Sequence, residues 1–221
     1  MRRLFFVLAF AAFVVTGVFA QAPFHLRAGS GLVLDGGRLG SHTFSQLGYS
    51  DSAHTNAFGG GGFFFFDLTY LELSAGLMTG PFLKHWETIE PGLPTESGTD
   101  GIFILTRVEL SLLGKIPICI GMGDSVLFPL FGAGYDFVLS LSDGGRSAIA
   151  GSALAPSDLN TFRLKAGLGM DIQTFSRTFF RASVLGYYRF VARYFRELAP
   201  AGAEHIGGFG AIIRFALGWR F

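Results

Sequence analysis

Twelve charged residues occupy alternate positions in segments that are rich in apolar residues and glycine. They are Arg27, Glu72, Arg107, Glu109, Asp136, Arg163, Lys165, Asp171, Arg181, Arg189, Arg214 and Arg220. Because successive side chains of a β-strand point to opposite faces, this spacing gathers the charges of each segment on one face. Guanidinium and carboxylate groups brought together in this way could form a buried ion-pair core or line a cationic passage for anions. Either outcome requires strands that enclose them.

Residues 207–221 show the alternation most clearly. One set is entirely apolar: Phe209, Ala211, Ile213, Phe215, Leu217, Trp219 and Phe221. The interleaved set holds both charges and three glycines: Gly208, Gly210, Ile212, Arg214, Ala216, Gly218 and Arg220. The pattern predicts a strand with one face suited to an apolar solvent and one small, cationic face.

Seven further segments are predicted to be strands of similar length. They are Phe24–Leu34, Ala57–Phe66, Tyr70–Met78, Ile102–Leu112, Phe128–Leu141, Phe162–Ile172 and Phe179–Phe190. The two faces of the segment 57–66 are alike in sequence, so its orientation cannot be assigned. The connections alternate between long (35–56, 79–101, 142–160 and 191–206) and short (67–69, 113–127 and 173–178). Eight tilted strands of this length, joined by long loops on one side and short turns on the other, suit a bilayer.

The amino-terminal residues 1–20 have the features of a secretory signal peptide. Arg2 and Arg3 precede an apolar run, and small residues precede a cleavage site after Ala20. Residues 21–221 then form a single predicted domain. Half of the chain is apolar, yet the most apolar remaining window, Ile116–Tyr135, contains two prolines and cannot cross as a helix. A closed barrel is the other structure whose backbone can span lipid.

Glycine indicates which face of the sheet is the outside. Ten strand glycines share the charged face, among them Gly29, Gly169 and Gly218. A soluble barrel with its apolar face turned inward would expose these glycines to water, where they weaken a strand and pack against nothing. A narrow interior needs small residues beside large ones. The apolar face is therefore expected to be the exterior.

The charges then divide unevenly between interior and loops. Eight of the twelve predicted interior charges are basic and four are acidic, whereas the long loops hold five basic and ten acidic residues. An eight-stranded barrel has little free lumen, so a structural ion-pair core is favoured over an anion conduit. Without Arg2 and Arg3 the chain has 15 basic and 16 acidic residues, which does not suggest a nucleic-acid partner.

Other candidate chemistry is weakly supported. His42, His54, His85 and His205 fall in predicted loops without a metal-ligand spacing, so no metal and no cofactor are expected. The chain has no Gly-x-Ser-x-Gly motif, and a catalytic triad has no evident members, so it is not expected to be an enzyme. The single Cys119 cannot form an internal disulfide.

The segments Pro129–Tyr135 and Gly210–Phe221 resemble the mid-barrel and final strands of small outer-membrane barrels of the OmpA, OmpX and OmpW type. The resemblance implies an all-β fold, namely a closed antiparallel eight-stranded up-and-down transmembrane β-barrel in contact with outer-membrane lipid. It also implies that Phe215, Leu217, Trp219 and Phe221 form a terminal-strand signal for the barrel assembly machinery.

Three functions remain open at this stage. The first is a structural or surface-interaction role through the four long extracellular loops, with an extracellular ligand as partner. The second, implied by the OmpW resemblance, is a channel for small apolar solutes. The third and least favoured is a lipid-modifying enzyme.

Overall fold

The computed structural model describes residues 26–46, 49–90, 92–119, 125–141, 155–192 and 204–221. The predicted signal peptide lies outside these ranges. Nine strands are present in them: β1 (Leu26–Gln46), β2 (Tyr49–Leu68), β3 (Leu71–Ile89), β4 (Glu96–Lys115), β5 (Ile118–Cys119), β6 (Val126–Leu141), β7 (Thr161–Gln173), β8 (Thr178–Arg189) and β9 (Glu204–Arg220). One short 3₁₀ helix covers Pro156–Leu159. Across the described ranges, no helix has the length and apolarity needed to cross a membrane.

The eight long strands form a closed ring of hydrogen bonds. Each pairs antiparallel with its neighbours in the chain, β4 pairs with β6, and β1 pairs with β9 from Arg27↔Arg220 to Thr43↔Glu204. The two-residue β5 only extends the β4–β6 connection by pairing with the start of β6. The all-β class, the antiparallel order and the eight-stranded closure are confirmed.

The two ends of the barrel differ. At one end, called the turn end, β2 and β3 are joined by the two residues Thr69 and Tyr70, and both β1 and β9 reach it. At the other, the loop end, five strands continue far beyond the ring in the order β4-β3-β2-β1-β9.

The prediction that 35–56 and 79–101 are long loops was wrong. Strand pairing runs to Gln46↔Tyr49 in the first segment and to Thr88↔Glu96 in the second. We call the part of the ring that carries outward apolar side chains the apolar belt. Beyond it, backbone pairing continues without the alternation of apolar and polar residues that is typical of strands in a bilayer. The sequence pattern therefore ends before the strands do. Residues 142–154 and 193–203 of the other two loops lie outside the described residues.

The exterior of the ring is apolar. Exposed side chains include Leu32 (69% exposed), Phe64 (71%) and Leu217 (57%), and similar residues face outward on every long strand. In β2, Phe63 and Phe65 are buried while Phe64 and Phe66 are exposed, which assigns the facing that the sequence left open. Such a surface is unfavourable in water and suited to lipid, so the prediction that the apolar face is the outside is confirmed.

Glycines make room for large side chains inside the ring. A methyl group added to Gly169 would lie 2.3 Å from the ring of Phe128, and one added to Gly218 would lie 2.3 Å from the ring of Phe179. These contacts explain why glycine shares the charged face: it creates the space that inward phenylalanines occupy.

Candidate functional site: the charged interior

Arg181 is the centre of a cluster near the turn end. Its guanidinium donates to Asp171 at 2.6 and 2.8 Å, to Glu72 at 2.8 Å and to Asp67 at 2.6 Å. Arg27 donates to Asp171 at 2.7 Å, and Lys115 pairs with Asp67. Three carboxylates thus face three cations, and the turn-end cluster (Arg27, Asp67, Glu72, Lys115, Asp171 and Arg181) is balanced in charge.

Aromatic rings enclose Arg181. Its guanidinium carbon lies 4.3 Å from the centroid of Phe65, 5.0 Å from Phe128 and 5.3 Å from Phe179. Cation–π contacts in a desolvated site add to the ion pairs, and the rings also exclude water from the cluster. Arg181 is only 1% exposed as a result.

A middle cluster joins Glu109, Lys165 and Arg214. Lys165 pairs with Glu109 and donates to the hydroxyl of Ser111 at 2.7 Å, while Arg214 donates to Glu109 at 3.0 Å. Arg214 also contacts Glu72 at 3.2 Å and so links this cluster to the turn-end cluster. One carboxylate serves two cations here.

The loop-end cluster consists of Asp35, Arg107, Asp136, Arg163 and Arg189. Asp35 accepts from Arg107 and Arg163, each at 2.6 Å, and from the hydroxyl of Tyr187 at 2.8 Å. Asp136 accepts from Arg163 at 2.7 Å and from Arg189 at 3.1 Å. Three cations therefore face two carboxylates in a site where every member is at most 4% exposed.

An apolar layer covers the loop-end cluster. Phe82 and Phe103 contact each other with ring centroids 4.9 Å apart, and Leu39, Leu105 and Ala192 are buried in the same layer. Phe82 belongs to the segment 79–101 that was predicted to be a loop, but β3 continues past the apolar belt and this side chain is buried. Between the layer and the ion pairs lies a cavity of about 10 Å³.

The structure brings eleven of the twelve predicted interior charges together in buried positions, while Arg220 is half-buried at the turn end. It adds Asp35, Asp67 and Lys115, which the sequence analysis had assigned to connections. Asp35 and Lys115 continue the inward parity of their predicted strands by one and two inward positions, so extending the alternation would have found them. Asp67 follows the segment 57–66, whose facing the sequence left open. Among the described residues, the buried charges are eight basic and six acidic, which halves the predicted excess of four to two.

Ser111 and Lys165 form a close hydroxyl–amine pair that the sequence analysis missed. A serine activated by lysine can act as a nucleophile in some hydrolases. Here both side chains are buried, at 6% and 3% exposure, and Ser111 donates its own proton to Glu109 at 2.9 Å. A substrate would have to enter the packed interior to reach them.

The terminal-strand residues and the histidines lie elsewhere. Phe215, Leu217, Trp219 and Phe221 are exposed on the apolar exterior. His54 and His85 are directly paired across β2 and β3 beyond the belt, with ring centroids 5.1 Å apart. Burial, followed by the charges of Arg38 and His85, lowers the pKa of His54 below its usual value. Over the described part of the chain, no cluster of three or more metal-ligating side chains occurs.

No protein-family model matches the sequence, and no curated protein matches it significantly. Solved structures of outer-membrane proteins do resemble this fold. The outer membrane protein OprG from Pseudomonas aeruginosa is 14% identical, with a TM-score of 0.47, and the match covers 90% of this chain and 96% of that chain. The N-terminal β-barrel domain of Pseudomonas aeruginosa OprF is 12% identical, with a TM-score of 0.34 and coverage of 86% and 97%. The outer membrane protease OmpT from Escherichia coli is 8% identical, with a TM-score of 0.42 and coverage of 91% and 99%.

The fold and the site define the class of protein. A closed ring of eight antiparallel strands, apolar outside and filled with paired charges inside, is a transmembrane β-barrel of the outer-membrane type. At identities of 8–14%, the similarity to OprG, OprF and OmpT concerns the fold alone.

Proposed function

We propose that this protein is a non-conducting, non-enzymatic outer-membrane barrel that acts through its loop end, outside the cell. The observation that carries the proposal is the filled interior. Over the described residues, three layers of ion pairs, the inward phenylalanines and the apolar layer above them occupy the ring, and the cavity beneath that layer has room for about one water molecule.

The cost of opening this interior supports the same conclusion. A solute could pass only by separating arginine–carboxylate pairs that are almost completely buried, such as Arg163–Asp136 and Arg181–Asp171. Breaking one such pair costs about 3–5 kcal/mol when a charge is left uncompensated. Spontaneous opening of several pairs at once would be rare.

The extended strands at the loop end supply a surface for a partner. The β3–β4 hairpin continues past the ring to the pair Thr88↔Glu96, and its end carries the exposed carboxylates of Glu87, Glu90 and Glu96. Ile89 and Leu93, which are 40% and 60% exposed, lie between them. A partner with basic groups beside an apolar patch would complement this hairpin end.

The first experiment measures conductance. Protein refolded in detergent is reconstituted into planar bilayers, and no stable single-channel openings are expected. Stable openings of reproducible size would overturn the proposal in favour of the small-solute channel.

The second experiment tests the surface. Barrels in lipid nanodiscs are passed over immobilised polylysine, which serves as a basic probe. We expect salt-sensitive binding that weakens when Glu87, Glu90 and Glu96 are changed to glutamine, whereas Arg177→Gln at the turn end should have no such effect. Equal binding by the hairpin variant and the wild type would remove the hairpin end as the contact surface.

A further inference from the structure

The loop-end cluster carries an uncompensated positive charge next to an internal cavity. Among the described residues, its three arginines, Arg107, Arg163 and Arg189, share two carboxylates within the cluster, those of Asp35 and Asp136. The middle cluster below has the same excess of one cation, and the two clusters are connected by a contact of 3.3 Å between Arg163 and Glu109. A buried net charge without a counter-ion is unfavourable, so this end of the interior favours an additional negative charge.

Two unused hydrogen-bond donors belong to residues that line this cavity. The Nε atoms of Arg107 and Arg189 are buried and have no partner, although both side chains line the space of about 10 Å³ beneath the apolar layer. Both arginines are more than nine-tenths buried, at 4% and 2% exposure. Buried guanidinium donors are normally satisfied, because a buried donor without a partner loses its hydrogen bonds to water and gains none in return.

We propose that this cavity binds one small monovalent anion of the halide class, held by Arg107 and Arg189. The anion accepts hydrogen bonds from donors that have no other partner and removes the excess charge of the loop-end cluster. The size of the cavity, close to that of a single water molecule, excludes sulfate, phosphate and carboxylates. Leu39, Leu105 and Ala192 separate the site from the loop end, so that the anion enters during folding and then exchanges slowly.

A bound water is the competing occupant. Asp136 lines the same cavity and its Oδ1 atom has no partner, so a water could donate to it while accepting from an arginine. A water would leave the charge of the cluster unchanged, and for this reason we favour the anion. The two occupants respond differently to a change of salt.

The test compares salts at constant ionic strength. The barrel is refolded from denaturant into detergent in sodium chloride, sodium bromide or sodium isethionate, whose anion is too large for the cavity. We expect the unfolding midpoint to rise with the logarithm of the chloride or bromide concentration, by up to a tenfold gain in the folded-to-unfolded ratio per tenfold increase in halide. Identical midpoints in chloride and isethionate would overturn the proposal.

A matched pair of variants locates the effect. Arg107→Gln makes the loop-end cluster neutral, while Asp35 keeps its hydrogen bonds to Arg163 and Tyr187. This variant should lose the halide dependence. Arg27→Gln removes a cation from the balanced turn-end cluster, where Asp171 keeps Arg181, and it should retain the dependence. Equal halide dependence in both variants would refute the assignment to this site.

Crystals grown in bromide provide a readout that does not require the variants to fold. An anomalous peak within hydrogen-bond distance of Arg107 and Arg189 supports the proposal. An ordered water in the cavity without an anomalous peak overturns it.

Discussion

Replacing the buried Arg181 by glutamine should strongly destabilise the barrel. Arg181 contacts three carboxylates, and each of them keeps one other cation when Arg181 is removed: Asp67 keeps Lys115, Asp171 keeps Arg27 and Glu72 keeps Arg214. No carboxylate is left alone, but the balanced turn-end cluster becomes negative by one charge in a water-excluded site. The expected loss in the free energy of unfolding is about 3–5 kcal/mol.

The measurement is urea-induced unfolding of the barrel in phospholipid vesicles, followed by tryptophan fluorescence. The control Arg177→Gln changes an exposed arginine in the β7–β8 turn and should stay within about 0.5 kcal/mol of the wild type. The double variant Arg181→Gln with Asp171→Asn restores charge balance, so its loss should be smaller than that of Arg181→Gln alone. A loss below about 1 kcal/mol for Arg181→Gln, or a larger loss for the double variant, would show that the ion pairs do not stabilise the barrel as described.

Four features outside the turn-end ion pairs give further predictions. Phe215→Arg places a cation on the lipid-facing side near the middle of β9 and should cost about 2–4 kcal/mol in vesicles, and no loss would place this face away from the hydrocarbon. Gly218→Leu should destabilise the barrel by about 1–3 kcal/mol because its side chain meets the ring of Phe179, and adding Phe179→Leu should recover part of that loss; an unchanged unfolding midpoint would contradict this packing. Phe221→Gln should reduce the amount of barrel inserted in cells while leaving refolding in detergent unchanged, and equal insertion would argue against a terminal signal. The NMR titration midpoint of His54 should lie below about 6.5, so protonation of the unfolded state lowers stability as the pH falls through that range; a midpoint above it would contradict the pKa direction.

The alternation of residue types was sufficient to predict the ring and its facing, because a strand between lipid and a narrow interior must present two different surfaces. The alternation was insufficient where a strand has the same residue types on both faces, or where it leaves the lipid. Gly60 and Gly62 point outward while Gly59 and Gly61 share the parity of the buried Phe63, so composition could not decide the facing of β2.

Above the belt, neither side of a strand has to be apolar. Residues 35–46 therefore contain no alternation that predicts the continuation of β1 to Gln46. For the interior, parity identified which residues face inward, but not their partners. The pairing of Arg107 with Asp35 joins residues 72 positions apart and depends on the barrel's dimensions and side-chain packing, which a single sequence does not reveal.

The pairing of β1 with β9 dictates the order of events during assembly. Gly29 of β1 lies opposite Gly218 of β9 in this pairing. The first strand therefore cannot form its hydrogen bonds to β9 until almost the whole chain is present. Contacts between residues this distant in sequence form slowly. Until β1 pairs with β9, the apolar sides of the other strands lack lipid unless the strands insert into the membrane while they pair. The apolar sides of a chain of this kind therefore need shielding from water until the seventeen residues of β9 are available for pairing.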